Sequence, residues 1–67
     1  MCKTIINPNH TWKLEIETKS TIKEYPQDLW SRLTYTENYI RIDFCKGKNK
    51  VNIMPRDVII DILIMES

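Results

Sequence analysis

With 67 residues, 42% hydrophobic and 28% charged, the chain is long enough for one small hydrophobic core and too apolar to remain disordered. A formal net charge of +1 gives no long-range pull toward nucleic acid or an anionic membrane. A single glycine leaves no glycine-rich phosphate loop, which excludes a nucleoside-triphosphatase or dinucleotide enzyme.

In chain order, Ile5 and Ile6 precede Asn7, Pro8 and Asn9, a cluster whose backbone preferences predict a turn. From Thr11 to Thr18 apolar Trp12, Leu14 and Ile16 alternate with Lys13, Glu15 and Glu17, the period of a half-buried strand with a charged outer row. Between Pro26 and Leu33 two periods compete. Leu29, Trp30 and Leu33 share a face at helical spacing, whereas Leu29, Ser31, Leu33 and Tyr35 share one at strand spacing. The reading adopted is a short helical turn from Pro26 with a strand from about Arg32.

Leu33–Thr36 and Tyr39–Cys45 are rich in β-branched and aromatic residues and are separated by Glu37 and Asn38, so they are expected to pair as a hairpin. Ile40, Ile42 and Phe44 should face inward, and Tyr39, Arg41, Asp43 and Cys45 outward. Residues 46–49 contain Gly47 and form the next turn, after which Lys50–Met54 should return as a strand with Val51 and Ile53 in the core. Pro55 and Asp57 punctuate the start of the last segment as they would a helix. Val58–Met65 is nearly all apolar and is also readable as a strand, since valine and isoleucine favour strands. The punctuation decides for a helix. The expected fold is therefore a single α+β domain over residues 1–67: a small antiparallel β-sheet of three to four strands, with a C-terminal α-helix packed on one face.

Few side chains offer chemistry. Cys2, Cys45 and His10 are the only cysteines and histidine, with neither metal-ligand spacing nor a motif joining nucleophile to base, so no enzyme, metal or cofactor is expected. Glu15 with Glu17, and Asp57 with Asp61, read as solvated faces. Two thiols without a denser disulfide framework suggest a reduced, cytoplasmic protein. The stretch before Asn7 is too short for a secretory signal. The Val58–Met65 run falls below the roughly 20 residues that span a bilayer, so no membrane partner is expected.

Two surfaces remain. Ile60 and Ile64 lie toward the side of the expected helix away from Ile59 and Leu63, forming an apolar excess of the kind that marks an interface, including one between two copies of the chain. Lys46, Lys48 and Lys50 crowd one turn, with Arg41 nearby, while Trp30, Tyr35 and Tyr39 supply rings. The function expected is non-catalytic binding of a host or assembly protein by a regulator or inhibitor that occludes its partner. The alternative is single-stranded nucleic-acid binding through the sheet and the basic turn at 46–50. Alanine is absent, whereas isoleucine, lysine, asparagine and threonine are abundant. That bias suits an AT-rich gene and suggests a phage or other mobile element, with an anti-CRISPR type of inhibitor as one instance.

Overall fold

The computed structural model describes residues 2–48 and 50–66. Seven strands alternate with tight connections: β1 (Lys3–Ile6), β2 (Trp12–Thr18), β3 (Ile22–Tyr25), β4 (Trp30–Tyr35), β5 (Tyr39–Phe44), β6 (Val51–Pro55) and β7 (Ile59–Glu66). Single 3-10 turns span Pro8–His10 and Arg56–Val58. The strands form two antiparallel sheets, ordered β1-β4-β5-β6 and β3-β2-β7.

The domain is thus an all-β sandwich, and the expected α+β architecture is corrected. No α-helix occurs among the described residues, and the segment expected to be a C-terminal helix is strand β7. Pro55 and Asp57 punctuate the 3-10 turn Arg56–Val58, which carries the chain from one sheet to the other. Pairing with β2 sets Ile62 opposite Ile16 and Ile64 opposite Leu14, so these two isoleucines point between the sheets. The β-branched content of the segment then agrees with its conformation.

Between the sheets lie Leu14, Ile16 and Tyr25 from one, and Trp30, Leu33, Ile40, Ile42 and Met54 from the other. The alternation of Trp12–Thr18 and the hairpin turning at Glu37 and Asn38 match the pattern of the sequence. At 26–30 both competing periods are partly satisfied. Leu29 N–H closes a turn on the Pro26 carbonyl (3.0 Å), and strand begins at Trp30. A β-bulge between Trp30 and Arg32 then shifts the side-chain alternation, so Trp30 and Leu33 both face the core. Strand β6 has the opposite parity to that expected: Met54 is buried, whereas Ile53 is 57% exposed on the outer face. Asn52 points inward, where its amide donates to Tyr25 Oη (3.2 Å).

Asn7 holds the first turn against the rest of the domain. Its side chain is buried, accepts the Trp12 backbone N–H at Oδ1 (2.8 Å), and donates from Nδ2 to the carbonyls of Gln27 and Trp30 (2.9 Å each). The indole of Trp30 donates in turn to the Trp12 carbonyl (2.8 Å).

Candidate interaction surface

Each sheet has two outer strands, and β7 is the longest of the four. Its hydrogen-bonding direction follows from its neighbour. Thr18 N–H donates to the Thr21 carbonyl (2.7 Å), so even-numbered residues of β2 bond toward β3, and odd-numbered ones toward β7. Glu15 and Glu17 therefore bond with Leu63 and Asp61, leaving the backbone groups of Ile62, Ile64 and Glu66 directed to the open side. Asp61 partly guards this edge, its Oδ1 accepting the Ile62 N–H (2.9 Å). The pairing slips between Glu17 and Thr18, making Ile60 the extra residue of a bulge.

On the outer side of this edge Leu63 is 48% exposed, and at the bulge Ile60 is 59% exposed. On the inner side the two sheets splay between β1 and β7, leaving a groove of about 370 Å³ lined by Lys3, Ile5, Leu33, Tyr35, Ile62 and Ile64. Its walls are largely apolar. At the N-terminal end of β7 lies a second hollow, lined by Tyr35, Arg56, Ile59, Ile60, Asp61 and Ile62. The Arg56 guanidinium stacks over the Tyr35 ring, 3.9 Å from its centroid, and its buried Nη1 has no hydrogen-bond partner. A cationic nitrogen taken from water without an acceptor is costly, and an incoming anionic oxygen would offset that cost.

The residues singled out from the sequence are dispersed. Trp30 is buried in the core and presents no ring to solvent. Tyr35 lies half-buried beneath Arg56 at the groove, whereas Tyr39 is exposed beside Pro55. Tyr39 opens β5 and Lys46 follows its far end, which separates the exposed ring from the basic turn by roughly 20 Å at the rise of an extended strand. Arg41 is paired with Asp43 (3.2 Å) and Lys46 with Asp28 (2.6 Å), while Lys48 and Lys50 are exposed. Ile60 is exposed at the bulge of β7, where it lines the second hollow, whereas Ile64 lines the groove.

Two ion-paired carboxylates have altered acidity. Partial burial pushes the Asp43 carboxyl up, but bonds and attraction from Arg32 and Arg41 outweigh it and hold the group below the usual carboxylate range. The Lys46 ammonium likewise holds exposed Asp28 low and is itself held above the ordinary lysine value. Burial raises the Tyr25 phenol, partly offset by the Asn52 amide.

Folding also brings His10 and Cys45 together, with Nδ1 and Sγ 3.6 Å apart. No local pattern could have linked residues 35 positions apart. The thiol donates to the Asp28 and Leu29 carbonyls (3.0 and 3.1 Å), which ties the chain after β5 to the turn before β4. Cys2 and Cys45 are both free and exposed. Leu63, Arg56 and Tyr35 complete the β7 edge, and of these Leu63 was assigned the buried side of a helix. Its exposure follows only from strand parity against Glu15. No described helix is long and apolar enough to cross a membrane. Comparison with family models, curated proteins and solved structures finds no match for this chain.

Proposed function

We propose that this chain is a protein-binding regulator that acts stoichiometrically, by pairing an extended segment of its partner with the open edge of β7. The observation that carries the reading is the coincidence, on one strand, of backbone groups at Ile62, Ile64 and Glu66 directed to the open side with an apolar groove on one face and exposed Leu63 on the other. Main-chain bonds along such an edge supply affinity, and the flanking apolar positions select the partner's side chains. Two free thiols fit a cytoplasmic, reducing setting.

The test uses the immobilised protein beside its Ile60→Lys/Leu63→Lys variant, in which both changes fall on exposed positions. The wild type should retain one or a few polypeptides that the variant loses, and purified partner should protect the Ile64 and Glu66 amides from hydrogen exchange. Equal retention by both proteins would sink the reading. Salt-sensitive oligonucleotide binding that ignores Leu63→Lys but falls on neutralising Lys46, Lys48 and Lys50 would replace it with nucleic-acid binding.

A further inference from the structure

We infer that, while its partner is absent, the strand paired with β7 is β7 of a second copy of this chain, the two running antiparallel about a two-fold axis at Leu63. The inference rests on the strand-addition reading above and names the occupant that the partner's segment displaces. Three observations converge on it: the direction of the free backbone groups, the side-chain order along β7, and the unpartnered nitrogen of Arg56.

An antiparallel partner must present its own free backbone groups to those of Ile62, Ile64 and Glu66 while keeping inner and outer faces in phase. Centring the pair on Leu63 meets both conditions. Ile62 of one copy then exchanges backbone bonds with Ile64 of the other, and the reverse pair forms by symmetry. Asp61 must release the Ile62 N–H, whose place as acceptor is taken by the carbonyl of the opposite Ile64. On the outer face Leu63 meets its own copy, and each Asp61 lies opposite Met65. On the inner face the isoleucines of both copies line one continuous apolar strip, extending the groove walls that Ile62 and Ile64 already form.

In this register no acidic residue of β7 opposes another acidic residue. Glu66, whose pairing with Trp12 sets it on the inner-face phase, falls opposite Ile60 of the other copy. Ile60 and Arg56 line the same hollow, so the incoming carboxylate arrives beside the Arg56 guanidinium, whose Nη1 lacks an acceptor. The two-fold axis makes this contact twice. The joined sheets read β3-β2-β7-β7-β2-β3, and an interface of one strand pair lies at the small end of specific interfaces, the class of weak and transient contacts.

The test is register-specific and uses the full chain with Cys2 and Cys45 replaced by serine. Leu63→Cys should form an intermolecular disulfide under mild oxidation, because directly opposed residues of a non-hydrogen-bonded pair have Cα atoms about 4.5 Å apart. Asp61→Cys alone should not, whereas Asp61→Cys mixed with Met65→Cys should. Sedimentation equilibrium of the unmodified chain should give a concentration-dependent dimer that Leu63→Lys weakens by at least about tenfold. Glu66→Arg should weaken it similarly, and Arg56→Glu combined with Glu66→Arg should restore much of the loss. A chain that stays monomeric to millimolar concentration, or that cross-links at Asp61 alone in preference to Leu63, overturns the second-copy assignment. Retention of a different polypeptide by the β7 edge would then leave strand addition standing, so the two readings fail separately.

Discussion

Asn7 is the buried polar residue at the junction of β1, β2 and the turn before β4, and all three of its side-chain hydrogen bonds go to backbone. Asn7→Ala leaves two carbonyls and one N–H without this partner, so a loss of about 3 kcal/mol in urea unfolding is expected. Asn7→Asp should be worse than Asn7→Ala, because it sets a carboxylate against the Gln27 and Trp30 carbonyls. The sequence marked Asn7 only as a turn former. Its partners lie 5, 20 and 23 positions away, beyond the reach of local pattern. A second residue-scale prediction concerns acid. The folded-state value of Asp43 is depressed, so the unfolded chain takes up this proton first as pH falls. The stability from its pairing with Arg32 and Arg41 is therefore present above the ordinary aspartate range near pH 4 and lost as pH drops through the lower folded value. Asp43→Asn should be less stable than wild type at pH 7, and the gap should shrink toward pH 2.5 in matched urea titrations. A gap that is constant with pH would assign the effect to packing instead.

At the level of the strand, legibility followed the contrast between faces. β2 alternates isoleucine and leucine with charged residues, and the hairpin of β4 and β5 is bounded by a short polar turn, so both could be read directly. β6 was read in the wrong phase because Val51 and Ile53 look more like core than Asn52 and Met54 do. The inward Asn52 is satisfied by Tyr25, a partner 27 positions away. Met54→Ala should accordingly cost about 2–4 kcal/mol, and Ile53→Thr less than about 0.5, in thermal or urea unfolding. The reverse order would restore the phase read from the sequence. β7 was the larger misreading. A strand that faces a groove on one side and a half-covered surface on the other is apolar on both, so it lacks the alternation that separates strand from helix. Ile60 and Ile64 were recognised as surplus apolar residues. Helical spacing nevertheless put Leu63 on the covered side, and only pairing with β2 returns it to the surface.

Across the whole molecule, the fold depends on contacts between distant parts of the chain. Leu14 lies opposite Ile64 and Ile5 opposite Leu33, so neither sheet can be completed by local hairpins alone. Closing such loops before the core rewards them makes folding slow for a chain of this size, and refolding on the scale of milliseconds to seconds is expected in stopped-flow fluorescence of Trp30 and Trp12. Microsecond refolding would mean that a local nucleus suffices. The outer strands are also unequal. β1 and β3 have four residues each and β6 has five, whereas β7 has eight. β3 carries exposed Lys23 and Glu24, and β6 ends in Pro55, which has no N–H to offer. A building block with one adhesive rim caps whatever it joins and offers no second rim for growth. Pairing through that rim alone would close at two copies, and concentrated protein is expected to stay clear by light scattering where a two-rimmed sandwich would draw out into filaments.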